Sequence, residues 1–255
     1  MAIAEESLVI LASPSLKAPL EALGHGFEAT HPHVKVQIHY DSGLGLRQMI
    51  ATMQNSGRHF IGSGPVHIIA PAGLELLERL EQRYYVLPGT RKAYAAVPLV
   101  LVVPESLADA HTSFEAFAHD PSKRLSVADP QRTELGLRTE AFLQGIGVVD
   151  ALKGRLDEAH DARGVIDHVL NGEADAGIVF GSDAVRERER VRVVATSTEE
   201  THRPIVYWMA MERFCPNRAL CEAFLDFTQS QEAQAILTRL GYGSPANVAT
   251  AQNPQ

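Results

Sequence analysis

The chain has 255 residues, 45% hydrophobic and 21% charged, and its 23 Lys and Arg against 31 Asp and Glu leave a formal net charge of −8. Such a composition excludes disorder, collagen and coiled coil for the chain as a whole and allows one large α/β domain or two lobes. It also argues against wide contact with nucleic acid, which needs a basic footprint.

Leu8–Ala12 reads as a buried strand, and a helix is expected over about Ser15–Thr30. Val34–Tyr40 alternates like a strand, and Asp41-Ser42-Gly43 opens a helix to about Met53. The Gly- and Ser-rich stretch Asn55–Pro65 is expected to be an exposed loop, and Val66–Ala70 a third short strand. Pro71 suits the first turn of a helix ending near Gln82. This β-α-β-α-β-α series is the mark of a parallel sheet covered by helices. Val97–Val103 reads as one long apolar strand and opens a second series. Strands are expected at Leu125–Ala128, Ala176–Phe180, Val191–Ala195 and Ile205–Met211, with helices at Glu134–Gln144 and Ala162–Asn171. Helices at about Asn217–Gln229 and Gln231–Leu240 close the chain.

The longest apolar run, Ala93–Val103, contains Pro98 and is too short to span a bilayer. The opening Met1-Ala2-Ile3-Ala4-Glu5-Glu6 lacks the basic start and long apolar stretch of a secretory leader. That leaves a cytoplasmic protein or one whose leader has been removed. Cys215 and Cys221 are spaced for a short-loop disulfide or for two unreactive thiols, and make a poor zinc site. The eleven histidines form no His-x-x-x-His or Glu-x-x-His pair on a helix face, so no cation site is expected. His31 and His33 read as solvated turn residues, His67 as structural, and the pairs Asp157-Glu158 and Glu199-Glu200 as solvent-facing loop carboxylates. No nucleophile elbow, P-loop or dinucleotide fingerprint is present. A catalytic base, were there one, would be Glu134, Asp41 or His160.

Ligands of open α/β sheets bind beyond the carboxyl ends of the strands. Helix N-termini there present free N–H groups and about half a positive charge, so they hold an anion without Lys or Arg. Several strand-to-helix junctions carry small hydroxyl or capping residues: Ala12-Ser13-Pro14-Ser15, Asp41-Ser42-Gly43, Thr133-Glu134-Leu135-Gly136, His160-Asp161-Ala162 and Phe180-Gly181-Ser182-Asp183. Each serine alone is an ordinary N-cap; the set suggests an anion site.

These residues resemble the ModA-type periplasmic molybdate-binding proteins, solute-binding subunits of ABC transporters. The resemblance runs through Ala12-Ser13-Pro14-Ser15-Leu16, Ser42-Gly43 with Leu46-Arg47-Gln48, Val100–Pro104 and Asp129-Pro130. It continues through Asp161–Gly164, Gly172–Ala184, Pro204–Tyr207 and Ala223–Phe227, in the family's order. It implies a two-lobed, type II periplasmic-binding-protein fold, each lobe a mostly parallel sheet flanked by helices, with ligand held in the inter-lobe cleft. Crossings near Val97–Val103 and Pro204–Met211 would make residues 1–96 plus 205–255 the first lobe and 97–204 the second.

The resemblance further implies capture of a tetrahedral oxyanion, molybdate or tungstate by family default. Ser15 and Ser42 would donate hydroxyl and backbone N–H bonds, and Leu135 and Ala162 backbone N–H groups. The molybdate oxyanion would sit at Ser15, Ser42 and Ala162. The family's tyrosine donor falls at Phe180, Pro14 removes one backbone donor, and Ser13 is placed to replace it with its hydroxyl. Leu135 is expected to narrow the pocket, and Glu134, if it faces the ligand, to repel a dianion or accept a proton. The implied partner is an ABC permease in the membrane. A monomer without cofactor or catalytic residues is implied, located in the periplasm with its leader absent from this chain. The alternatives are a protonated oxyanion such as phosphate or a small organic anion in the same fold, or a cytoplasmic ligand-sensing module.

Overall fold

The computed structural model describes residues 6–41, 60–61, 64–107, 112–198 and 205–245. The chain divides into two compact units, Met1–Ala96 with Val206–Gln255, and Val97–Ile205.

The first unit holds a five-stranded sheet in the order β2-β1-β5-β12-β6. Strand β1 (Glu6–Ala12) runs parallel to β2 (Val34–Tyr40), with Ile10 opposite Ile38, and to β5 (Ile68–Ala70), with Ile10 opposite Ile68. Strand β12 (Ile205–Met211) is antiparallel to β5, and β6 (Lys92–Val97) flanks it. Between β2 and β5 lies a two-stranded hairpin, β3 (Phe60–Ile61) with β4 (Gly64–Pro65), inside the segment expected to be loop. The helix expected after Asp41 falls largely outside the described residues.

Helix α1 (Lys17–Thr30) is preceded by a single 3-10 turn, Pro14–Leu16. It buries Leu20, Leu23 and Phe27, and the Phe27 ring meets Phe224 edge-on at 5.2 Å. Helix α2 covers Leu74–Gln82, starting later than Pro71 suggests. Helices α8 (Arg218–Phe227, capped by the Asn217 side chain) and α9 (Gln231–Arg239, capped by Ser230) close the unit. Cys215 and Cys221 are joined in a disulfide and both are buried. His67 is buried and its Nδ1 accepts the Val9 amide at 3.2 Å, the structural role expected of it.

The second unit holds a sheet in the order β11-β7-β10-β8-β9. Strand β8 (Leu125–Ala128) is parallel to β9 (Leu156–Ala159) and to β10 (Ala176–Phe180). Strand β7 (Leu99–Pro104) is antiparallel to β10, and β11 (Val191–Thr196) antiparallel to β7. Both five-stranded sheets are therefore mixed: in the second, β8, β9, β10 and β11 run one way and only β7 runs against them. The single strand expected at Val97–Val103 is two strands, β6 and β7, split at Pro98, which has no N–H to continue a ladder. Strand β9 carries Asp157 and Glu158, so that pair is not in a loop.

Helices α3 (Phe114–His119), α4 (Glu134–Gly145), α5 (Val149–Leu152), α6 (Ala162–Leu170) and α7 (Gly181–Arg186) complete the unit. Helix α6 lies so close on β10 that a Cβ at Gly177 would press on the Val165 and Val169 side chains. The core of this unit gathers Leu101, Phe117, Phe142, Val165 and Ile178. Among the described residues no helix is long and apolar enough to cross a membrane.

Candidate functional site

In the first unit, β1 ends at the 3-10 turn that carries Ser15. Ser15 is exposed, and among the described residues its hydroxyl has no hydrogen-bond partner. Ser13 differs: it is buried, and its Oγ accepts the Ala72 amide at 3.0 Å. That bond, with the Ser13 amide donating to Ala70 O at 3.1 Å, ties the end of β1 to the end of β5. Its oxygen is thus engaged in holding the turn. The Asp41 amide donates to Ala12 O at 2.9 Å, closing the end of β2 on β1. Ser42 lies outside the described residues.

In the second unit, β8, β9 and β10 are parallel, so all three end on one edge of the sheet. Each is followed by a helix that starts at that edge: α4 after β8, α6 after β9, α7 after β10. Thr133 caps α4, its hydroxyl accepting the Gly136 amide at 2.9 Å. Asp161 caps α6, its Oδ1 accepting the Gly164 amide at 2.9 Å. Caps of this kind occupy the third helical N–H and leave the earlier ones free. The Leu135 and Ala162 amides are among those left: neither has an acceptor among the described residues. Glycine is required at 136, where a Cβ would collide with the Ala128 carbonyl oxygen and the Asp129 carbonyl group. The α4 N-terminus therefore rests directly on the backbone at the end of β8.

The Leu135 side chain packs in the core of this unit and is 4% exposed. Phe180 ends β10, partly buried against the same core, and offers no hydroxyl. The Gly181 amide that follows it is taken by Pro98 O at 3.0 Å.

The same edge is rich in carboxylates, most of them matched locally. Glu134 binds Arg138 Nε at 2.7 Å along the α4 surface, and Asp129 binds Arg132 Nε at 3.2 Å. The bond from the Gly164 amide holds the Asp161 carboxyl below its usual range, helped by His160 nearby. Asp183, in the first turn of α7, behaves oppositely. Burial pushes its carboxyl up, Asp161 adds to the rise, and Arg186 Nη1 at 3.3 Å only partly opposes it. Its side chain is 18% exposed. Nothing in the residue pattern marked Asp183 beyond its place after a strand; the signal is its burial.

Asp157, His168 and Glu173 come together away from this edge, their ligating atoms within 4.8 Å of one another. His168 Nδ1 lies 2.6 Å from Asp157 Oδ2, and Nε2 lies 3.9 Å from Glu173 Oε2. The Asp157 bond raises the His168 pKa above 6.5. Burial pushes Asp157 up, but the His168 bond, with the charges of His168 and Arg124, outweighs it and leaves that carboxyl lowered. His168 thus stands between two carboxylates, and Asp157 is paired rather than solvent-facing.

Two mixed sheets flanked by helices, with strands ending at helix N-termini, define the architecture of periplasmic binding proteins. A Clostridium difficile substrate-binding domain assigned to a molybdenum ABC transporter shares it at a TM-score of 0.78 and 24% identity, covering 93% of this chain and 98% of that one. A Bordetella ferric binding protein shares it at 0.65 and 16%, covering 98% and 91%. In sequence, the molybdate-binding protein ModA of Escherichia coli is 27% identical over 215 residues, 82% of each chain. The family model described as bacterial extracellular solute-binding protein matches residues 8–243, and the chain belongs to that family, which is one of solute-binding proteins and not of enzymes.

Proposed function

We propose that this protein captures a tetrahedral oxyanion, molybdate or tungstate, and delivers it to an ABC permease from the periplasm as a monomer. The observation that carries the reading is the pair of free amides, Leu135 and Ala162, each at the start of a capped helix on one sheet edge. Uncharged donors of this kind suit a dianion in a protein of net charge −8, because they act locally. Ser15 and Ser42 would complete the donor set from the first unit. The E. coli relative, named for molybdate, supports the choice of cargo.

A second reading keeps the fold and changes the ligand to a protonated oxyanion or a small organic anion. Phe180 favours it, since an oxygen left without its donor there costs about 1–3 kcal/mol. Phe180→Tyr separates the two. If the remaining donors are those of a molybdate site, the substitution strengthens molybdate binding by roughly 10-fold or more in calorimetry. No gain would count against the donor assignment.

A further inference from the structure

Three ligating side chains from three segments of the second unit meet away from its donor edge. Asp157 stands on β9, His168 in the last turn of α6, and Glu173 in the turn that follows. That turn brings Glu173 back beside the ring: Gly172 takes a φ of +77°, which suits glycine, and the Glu173 amide donates to His168 O at 2.9 Å. Glu173 Oε2 then lies 3.9 Å from His168 Nε2, while Oε1 accepts Asn171 Nδ2 at 3.5 Å. At the other ring nitrogen, Asp157 Oδ2 lies 2.6 Å from Nδ1 and fixes the orientation of the imidazole. Arg124 Nη2 lies 3.9 Å from Asp157 Oδ1, so that cation is drawn to the carboxylate that does not face Nε2.

The gap between Nε2 and Oε2 is too long for a hydrogen bond. It is close to the span of two metal–ligand bonds of about 2.0–2.1 Å each. A cation between the two atoms needs only a small closing of the Glu173 side chain, which is 53% exposed and has room to move. The Asp157 bond has the form of the outer carboxylate that orients a ligating histidine: it takes the Nδ1 proton and leaves the Nε2 lone pair for the ion. We propose that His168 Nε2 and the Glu173 carboxylate bind one divalent cation of the zinc type, with Asp157 as the positioning residue and water in the remaining positions. An imidazole nitrogen beside a carboxylate selects Zn2+ over Mg2+, which prefers oxygen ligands and its own water shell. The ion ties the turn after α6 to the imidazole and, through Asp157, to β9, an edge strand paired with β8. One histidine joined by carboxylates from other segments has no His-x-x-x-His or Glu-x-x-His spacing, so the residue pattern does not display the site. The proposal does not depend on the cargo the protein carries.

The test is calorimetric titration of ZnCl2, in a non-coordinating buffer free of oxyanions, into protein stripped of metal with EDTA and then desalted. One Zn2+ should bind per chain, and the melting temperature should rise with zinc and fall back with EDTA. His168→Gln should lose the binding. Glu173→Gln changes an exposed side chain, so it should weaken zinc binding roughly 10-fold or more while leaving the metal-free melting temperature unchanged. Asp157→Ala should weaken binding by about 10-fold or more, the usual cost of losing an outer partner. Asp157→Asn keeps an oxygen to accept from Nδ1 and should weaken it less. His33→Gln, in the turn where the His31 and His33 rings lie 6.4 Å apart, should leave the affinity as it is, and excess MgCl2 should not compete. Failure of zinc to bind, or binding that His168→Gln and Glu173→Gln leave unchanged, would overturn the proposal. Loss of binding in His33→Gln alone would place the ion at the other histidines and overturn it as well. None of these outcomes touches the oxyanion reading.

Discussion

Replacing Gly136 with Ala tests whether the α4 N-terminus is fixed where the proposed donor needs it. In an ordinary helix the change is favourable by about 1 kcal/mol. Here the new Cβ meets the Ala128 oxygen and the Asp129 carbonyl, which are backbone and cannot swing aside. Overpacking of that kind costs about 1–3 kcal/mol, and more when backbone must move. The net expectation is a loss of about 1–2 kcal/mol, or a fall of about 2–8 °C in melting temperature. Relief comes only by lifting the first turn of α4, which carries the Leu135 amide away from its position. Losing a hydrogen bond to a charged oxygen costs about 1.5–3 kcal/mol, so oxyanion affinity should drop roughly 10-fold or more. Gly164→Ala is the comparison: its Cβ would press on the Ala159 methyl at 3.3 Å, with Asp161 Oδ1 at 3.7 Å in ordinary contact, so the gain of about 1 kcal/mol expected in a helix is partly offset and stability should change by less than about 0.5 kcal/mol. Differential scanning calorimetry with ligand titration reads both quantities. A Gly136→Ala protein that is more stable than the wild type and binds equally well would refute the reasoning.

His168→Gln should destabilise most in mild acid. The raised His168 pKa means its contribution is fully present below about 6.5 and fades as pH rises through the raised folded value, while the lowered Asp157 pKa keeps that carboxylate charged down to below 3.8. The melting-temperature gap to the wild type should therefore be wide near pH 5–6 and shrink by pH 9; a gap independent of pH would show that the pair contributes no charge interaction. Arg155 donates to four carbonyls, those of Ala118, Asp120, Lys123 and Ala151, and so knits α3 to α5. Arg155→Met should cost about 2–4 kcal/mol in denaturant unfolding, and a change under 0.5 kcal/mol would contradict that role.

Continuous apolar runs made much of the fold readable. Val34–Tyr40, Leu125–Ala128, Ala176–Phe180 and Ile205–Met211 are strands over the spans expected from their residues. What stayed hidden depends on tertiary context. Strand β9 is an edge strand that pairs only with β8, so its acidic Asp157 and Glu158 looked like loop residues. Strand β6, with its Lys92 start and small alanines, merged into the run beyond Pro98. At the site, the caps and candidate donors were legible because capping residues sit at fixed offsets from helix starts. Burial was not. Leu135 turns into the core, and Glu134 turns to Arg138. The Cys215–Cys221 pair was left open by its spacing, and the structure joins it.

Binding of a tetrahedral oxyanion by this family member can be read from a calorimetric panel. Molybdate, tungstate, sulfate, phosphate and a set of small carboxylates would be titrated into the wild-type protein at pH 7. Molybdate and tungstate should each bind saturably at one site with nearly equal affinity, because neutral donors cannot tell apart two anions of the same shape and charge. Silence from every inorganic oxyanion, with measurable heat from an organic ligand, would contradict it.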